Sequence, residues 1–128
     1  DLMNYLKSLS SKSYISFEEE VSFPHISLNT LVPLGLFITE LVQFWSSRIS
    51  EKTQLHFTII LGESKSRYTY ELVIMDNLEK PLFSQSSFEN EDDLSVILIE
   101  ALVEQLEGEI EIVHDAFNKV CLRFNPVD

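Results

Sequence analysis

Residues 31–49, LVPLGLFITELVQFWSSRI, carry apolar side chains on nearly every face of a helix, and the main interruptions are Thr39, Glu40 and Gln43. A helix that is apolar all round is buried on more than one side. We therefore predict that this segment is the central helix of a folded core. The rest of the chain is interpreted around it.

A second helix is predicted over residues 92–108, DDLSVILIEALVEQLEG. An aspartate at its start is a typical N-cap, and Gly108 is a typical C-terminal stop. Helical spacing predicts a buried stripe on one face of it, made of Leu94, Ile97, Leu98, Ala101, Leu102 and Leu106. A short amphipathic helix is also predicted over residues 1–12.

Strand patterns fill the remaining segments. Residues 14–23 alternate in polarity, and residues 54–61 and 68–75 flank the polar turn GESKS as a hairpin. Residues 109–124 form a second hairpin. The order of elements predicts an α+β fold, a two-layer α/β sandwich in which a mixed sheet of about five strands is covered on one face by about three helices. All of residues 1–128 are assigned to this single domain.

Composition and charge limit the function classes. The 128 residues include 21 acidic and 9 basic side chains, a formal net charge of −12, which opposes binding to nucleic acid or anionic lipid. The single cysteine, Cys121, excludes an intramolecular disulfide, so we expect a reducing, cytoplasmic location. We expect no direct membrane insertion, because no apolar run reaches the length of a membrane span, and the first residues lack a signal-peptide layout. Because the chain starts with Asp1, we expect a C-terminal fragment of a longer protein.

The usual signatures of catalysis are missing from the sequence. The histidines His25, His56 and His114 are scattered and show no i, i+4 pairing of the kind that binds a metal. Three glycines do not make a glycine-rich phosphate loop. We therefore assign no catalytic and no metal-ligating residue.

Four motifs nevertheless occur in an order that is characteristic of a known domain: VPLGLFITELVQFW at 32–45, ELVIMDN at 71–77, DLSVILIEALVEQLEGEIEI at 93–112 and CLRF at 121–124. This series resembles the C-terminal ATP-binding domain of sensor histidine kinases, within the larger GHKL (Bergerat-type) group that includes gyrase, Hsp90 and MutL. The HWE-like subfamily is most similar, with PLGLIVNELVTNALKHA, DNGVGLP and SLGLQLVRALVEQLGGELEV. The likeness extends over residues 1–124 and implies the histidine kinase ATPase fold.

The resemblance also implies an ATP and magnesium site, of which only part is matched. Glu40 matches the first acidic or amide residue of the buried helix. The following magnesium position is Phe44, whose ring cannot supply the oxygen ligand that Mg²⁺ requires. The basic residue that the family places nearby falls at Ser47 or Arg48, and only Arg48 could take its place.

The family's adenine-binding motif, an aspartate followed by Asn-Gly-x-Gly, is matched by Asp76 and Asn77. Its glycines are replaced by Leu78 and Lys80, and a side chain there obstructs the approach of a nucleotide. The final motif is a glycine pair at the start of the last helix, where free N–H groups hold phosphate. The matching positions here, Asp93 and Ser95, place an acid where a triphosphate would lie.

Charge leads to the same expectation. Residues 81–118 include ten acids and no lysine or arginine, so the segment that would close over phosphate is acidic. Without magnesium, each close like-charge pair at ~4 Å costs on the order of 1–4 kcal/mol. Glu40, Asp76 and Asn77 are therefore predicted to be the cofactor-binding residues of a vestigial ATP pocket that holds no cofactor. We expect Phe44 to fill this pocket, whereas Trp45 either fills it or faces solvent or a partner.

The function expected from the resemblance is that of a degenerate histidine kinase domain, a scaffold or docking module in two-component phosphotransfer. Its expected partners are a response-regulator receiver domain, for which the acidic loop at 89–93 is one candidate surface, and its own upstream dimerisation helices. One alternative is an active kinase domain in which Asp76 still binds adenine, Lys80 or Arg48 contacts phosphate and Glu40 positions magnesium. Another is a small-molecule sensor that reuses the vacated pocket.

Overall fold

The computed structural model describes residues 15–21, 26–48, 54–82 and 93–127. The elements are β1 (Ile15–Val21), α1 (Leu28–Ser46), β2 (Leu55–Glu63), β3 (Tyr70–Met75), α2 (Leu94–Gln105), β4 (Glu109–His114) and β5 (Asn118–Phe124). The strands form one sheet in the order β1-β2-β3-β5-β4. Strand β1 runs parallel to β2, and the other neighbours are antiparallel. The predicted α+β class and mixed five-stranded sheet are confirmed.

Two predicted features lie outside the described residues. These are the amphipathic helix over 1–12 and most of the acidic loop at 89–93. The first hairpin agrees closely with its prediction, except that β2 extends two residues further, to Glu63, and β3 begins two residues later, at Tyr70.

Helix α1 is the central element of the core, as the sequence predicts. Leu34, Phe37, Ile38 and Leu41 are fully buried along it. They belong to one apolar cluster with the inward side chains of the sheet, which include Phe57, Ile59, Leu72, Ile74, Leu122 and Phe124. Burial of each large side chain contributes roughly 1.5–3 kcal/mol relative to exposure, so this helix–sheet contact stabilises the domain more than any single polar contact.

By length and composition alone, α1 is also able to cross a membrane, with 19 residues and a mean hydropathy of 1.3. This corrects the expectation that no apolar stretch reaches that length. Half of the stretch is buried inside the fold, and the core helix of a folded domain passes the same test. Its packing against β2, β3 and β5 is that of a core helix.

The predicted buried face of α2 is confirmed at Leu102 and Leu106 and is wrong at the other four positions, which are exposed. The buried residues are Val96, Ile99, Leu102, Val103 and Leu106, whereas Leu94, Ile97 and Leu98 are 69%, 45% and 39% exposed. The helix is apolar on more than one side, so periodicity alone does not determine which side turns inward. Packing against α1 and the sheet selects the stripe that leads into Leu106.

The packing at the end of α2 explains why residue 108 is a glycine. Glu107 adopts a left-handed backbone conformation with φ of 49°, and the next residue, Gly108, lies against β5. A Cβ atom on Gly108 would come within 2.6 Å of the Arg123 carbonyl oxygen. The chain therefore turns from α2 into β4 at a point where the backbone of β5 leaves no room for a side chain.

This geometry predicts opposite effects for two neighbouring substitutions. Gly108→Ala should destabilise the domain by about 1–3 kcal/mol, because the new methyl group collides with backbone that cannot move away easily. Glu107→Gly should instead stabilise it by up to about 1 kcal/mol, because glycine adopts a positive φ without strain. Urea denaturation of both variants measures the difference, and equal effects of the two changes would contradict this account of the turn.

Candidate functional site

A buried polar cluster lies where the C-terminal end of α1 meets the sheet. Asp76 directly follows β3, Asn118 begins β5, and Trp45 is the penultimate residue of α1. Asp76 and Asn118 are only 4% and 2% exposed, and Trp45 is fully buried. Buried polar side chains of this kind need hydrogen-bond partners to offset the loss of hydration.

The carboxylate of Asp76 accepts four hydrogen bonds from the described part of the chain. Its Oδ1 atom accepts from the backbone N–H groups of Leu78 and Asn118, both at 3.0 Å. Its Oδ2 atom accepts from the indole Nε1 of Trp45 at 3.0 Å and from Nδ2 of Asn118 at 2.8 Å. A carboxylate offers about four acceptor positions, so these four donors use its whole capacity.

Asn118 connects this cluster to the segment after β3. Its Nδ2 atom also donates to the Lys80 carbonyl at 2.9 Å, and its Oδ1 atom accepts from the Leu82 backbone N–H at 3.0 Å. The backbone N–H of Asp76 donates to the Asn118 carbonyl at 3.0 Å. Sequence reasoning missed Asn118, and the available signal was a polar residue at the head of the apolar strand KVCLRF.

The orientation of Trp45, left open by the sequence, is inward. Its ring meets Phe57 of β2 edge to face, with centroids 5.1 Å apart and an interplanar angle of 85°. Edge-to-face contact is a favourable arrangement of aromatic rings. One edge of the indole therefore contacts Asp76, and the ring system packs against the floor of the sheet.

The position that the resemblance assigns to magnesium is apolar. Phe44 is 2% exposed, and the guanidinium carbon of Arg48 lies 3.8 Å from the centroid of its ring. Arg48 also donates to the Phe44 carbonyl at 3.3 Å. Glu40, one helical turn earlier, is half-buried, and within the described ranges no hydrogen bond joins it to Asp76. The Arg48 guanidinium is thus held by the ring and the carbonyl of Phe44, both in α1.

Asn77 turns away from the buried cluster. Its Oδ1 atom accepts from the His56 backbone N–H at 2.9 Å, and its Nδ2 atom donates to the Gln54 carbonyl at 3.2 Å. These bonds fasten the end of β3 to the beginning of β2. Of the three predicted pocket residues, only Asp76 therefore lies at the cluster.

The N-terminus of α2 is capped by its own aspartate. Asp93 is the N-cap, and its Oδ1 atom accepts from the Ser95 backbone N–H at 2.9 Å. An acidic N-cap stabilises a helix through this bond and through the helix dipole. The Asp93 carboxylate also occupies the Ser95 N–H, a donor that a bound phosphate would use, and it places negative charge at the start of the helix.

The described histidines take part in surface contacts. His56 Nδ1 lies 2.7 Å from the Ser16 hydroxyl, and its Nε2 lies 3.5 Å from a Glu18 carboxylate oxygen. His114 Nε2 lies 3.0 Å from the Glu79 carbonyl, and His25 is outside the described residues. Across 15–21, 26–48, 54–82 and 93–127, no three His, Cys, Asp or Glu side chains are grouped to hold a metal ion.

An open cleft of about 840 Å³ lies at the opposite end of β3, beside the β2–β3 turn. Its charged lining consists of Lys65, Arg67 and Arg123 together with Glu63, Glu71 and Glu109. Arg123 is already paired with Glu71 at 3.0 Å and with Glu111 at 3.4 Å. The two signs of charge balance, so the cleft offers no strong preference for an anion or a cation.

Cys121 is buried, at 5% exposure, but not in the helix–sheet core. It alternates along β5 with Val120 and Leu122, which face the helices, so it faces the other side of the sheet. Burial raises the pKa of the Cys121 thiol. The thiol is therefore kept in its unreactive protonated form.

Comparison with solved structures identifies the architecture. The blue-light activated histidine kinase EL346 of Erythrobacter litoralis superposes with a TM-score of 0.76 at 13% identity, over 96% of this chain and 40% of that one. The Acinetobacter baumannii histidine kinase AdeS gives 0.71 at 11% identity, over 99% and 62%. The catalytic domain of histidine kinase ThkA gives 0.69 at 11%, over 98% and 90%. The fold is that of a histidine kinase catalytic domain.

The likeness to these kinases is limited in length and in sequence. The chain spans between two fifths and two thirds of the length of the first two of these kinases. No protein-family model and no curated protein sequence matches this chain. At these identities the superpositions establish the fold, and the chemistry has to be inferred from this chain's own residues.

The buried cluster predicts a structural role for Asp76. Asp76→Asn should destabilise the domain by about 1–3 kcal/mol in the absence of any ligand, because an amide group turns N–H donors toward atoms that are themselves donors. Asp115→Asn, in the exposed β4–β5 turn, is the control and should stay within about 0.5 kcal/mol of wild type. Urea denaturation measures both, and equal stabilities would rule out the role.

The buried thiol predicts a dependence of stability on alkaline pH. The unfolded chain loses the thiol proton near the ordinary pKa of about 8.5, whereas the folded chain, whose thiol pKa is raised by burial, keeps it. The stability contribution is therefore complete below that value and falls as pH rises through the folded pKa. Cys121→Ala should remove this part of the slope. A disulfide-exchange reagent should also react far more slowly with the native thiol than with the unfolded one.

Proposed function

We propose that this chain is a degenerate histidine kinase ATPase-like domain that does not bind ATP and works as a scaffold or docking module in phosphotransfer. The observation that carries the proposal is the saturation of Asp76 by four donors from the protein, one of which is the indole N–H of Trp45. An adenine ring that hydrogen-bonds to the same carboxylate would have to displace one or more of these donors.

Three further features support the proposal. Phe44 supplies a ring at the position where the family supplies a magnesium ligand, and Arg48 is stacked on that ring. Asn77 is bonded to β2. The N-terminus of α2 carries its own carboxylate cap. The residues present therefore do not fit a magnesium nucleotide at the base, the metal or the phosphate.

A domain that keeps this fold but does not bind nucleotide still has outer surfaces that can bind other proteins. We propose that, in the cytoplasm, it packs against a pair of dimerisation helices and presents them to a response-regulator receiver domain. Nothing in this role requires a reaction within the domain itself. The net charge of −12 is consistent with protein partners and opposes nucleic acid.

Nucleotide titration of the wild-type domain tests the first half of the proposal. A ligand present at 100 times its dissociation constant stabilises a fold by about 2.7 kcal/mol, a shift that is easily seen by thermal denaturation. We expect millimolar MgATP and MgADP to leave the melting temperature unchanged. A saturable increase that disappears in Asp76→Asn would instead establish the active-kinase alternative.

Binding measurements test the second half. Purified receiver domains from the same organism, each with and without beryllofluoride, are titrated against the chain by calorimetry. We expect saturable binding to at least one of them, weakened by surface substitutions that leave the melting temperature unchanged. Absence of binding across the whole set would contradict docking to a receiver while leaving the nucleotide result intact.

A further inference from the structure

Helix α2 has two apolar sides, and the fold covers only one of them. The inner side packs against α1. On the outer side, Leu94, Ile97 and Leu98 are 69%, 45% and 39% exposed, and Ala101 is exposed as well. Their i, i+3, i+4, i+7 spacing places them on one side of the helix. A helix that is apolar on two sides is typical of one that is covered on both. These four residues are called the outer stripe below.

A row of carboxylates borders the outer stripe. Asp93 lies four positions before Ile97 and Glu100 lies three positions after it, and Glu104 lies one turn beyond Glu100, so the three acids follow the same flank of the helix. Residues 81–118 contain no lysine or arginine. Within the described part of the chain, no ion pair involves Glu100 or Glu104. The negative charge beside the stripe is therefore not neutralised by any described side chain.

We infer that the outer stripe is a docking surface for an amphipathic α-helix of another protein, one that carries leucine-type side chains along one side and a row of lysines or arginines beside them. Exposed apolar surface with a polar border marks an interaction site. The helical spacing of the stripe suits a second helix, whose side chains pack between its own. The basic row would meet the carboxylates and fix the orientation of the partner.

The same carboxylates disfavour the other occupants of an exposed apolar stripe. A second copy of this chain would bring a second acidic row to the contact, together with a further net charge of −12. An anionic lipid surface would be repelled by the same charges. A basic helix is the occupant for which both the apolar part and the charged part of the contact are favourable. The inference goes beyond the proposed function and does not depend on whether a nucleotide binds.

The test uses the intact chain and two designed helical peptides. The first carries leucines at i, i+3, i+4 and i+7 with a row of lysines beside them, and the second has glutamate in place of each lysine. We expect the lysine peptide to bind saturably by fluorescence anisotropy, less tightly as salt is raised. The glutamate peptide should bind on the order of tenfold or more weakly. Equal affinities, or no binding of either peptide, would overturn the inference.

Leu94→Gln and Leu28→Gln are matched substitutions that locate the surface. Each leucine is the first residue of its helix, and they are 69% and 71% exposed, so neither change should prevent folding. Leu28 lies at the opposite end of the helix layer, because the segment after β5 ties the start of α1 to the end of α2. Leu94→Gln should weaken binding of the lysine peptide on the order of tenfold, and Leu28→Gln should leave it unchanged. Equal losses in the two variants would contradict the assignment.

A second matched pair tests the carboxylates. Glu100→Gln combined with Glu104→Gln removes two charges from the acidic row, whereas Glu20→Gln combined with Glu109→Gln removes two exposed charges from the sheet. The first double variant should weaken binding of the lysine peptide and reduce its salt dependence, because a local ion pair is lost. The second should retain the wild-type affinity and salt dependence. The same loss in both would show non-specific attraction to an acidic protein.

Two further measurements separate the remaining occupants. We expect wild type and Leu94→Gln to have the same sedimentation behaviour, and a dimer that this substitution dissociates would assign the stripe to a second copy. Leu6→Gln, in the helix predicted over residues 1–12, should leave the affinity for the lysine peptide unchanged. A gain in affinity would mean that the chain's own N-terminal segment covers the stripe. Either result would overturn the inference, whereas a melting-temperature response to MgATP would refute the proposed function alone.

Discussion

The carboxylate of Asp76 is the point on which this end of the domain depends. A charged group that is 4% exposed is tolerated in a protein interior only when hydrogen bonds replace its hydration. Here the replacement donors come from α1, from the segment after β3 and from the start of β5. Three parts of the chain that are distant in sequence are therefore held at one atom group. Asp76, at the position that the histidine kinase resemblance assigns to a cofactor, is thus a structural connection between them.

The apolar core explains how this fold is kept at low sequence identity. The helix–sheet core of α1 with β2, β3 and β5 is apolar, and it includes Phe44 and Trp45 but neither Asp76 nor Asn77. Phe44 and Trp45 increase the apolar packing of α1, and the indole N–H is one of two donors to Asp76 Oδ2. The fold of a catalytic domain is preserved with a TM-score of 0.76 at 13% identity, because burial patterns constrain shape more strongly than residue identity.

How far the sequence predicts this structure depends on the kind of signal. Strand alternation and the all-round apolar character of α1 predict the layers and the sheet, because burial imposes those periods directly. The buried face of α2 is not predictable in the same way, since Leu94, Ile97 and Leu98 are as apolar as the residues that turn inward. At the site, the motif identifies Asp76, but its partner Asn118 lies 42 residues further on. Such a long-range polar pair has no local pattern, and the inward orientation of Trp45 becomes evident only once that pair is located.

The parallel pairing of β1 with β2 has a different consequence, for the order in which the domain comes apart. Strand β1 forms an edge of the sheet, and its partners, such as His56 opposite Ser16, lie forty residues away along the chain. The remaining strands are joined as antiparallel neighbours, two of the pairs through short turns. Of the two edge strands, β4 is joined to its neighbour by a short turn, whereas β1 pairs across forty residues and so closes the larger loop for its hydrogen bonds. Local opening of the domain therefore begins at β1, and the four-stranded remainder with α1 and α2 forms the more persistent unit.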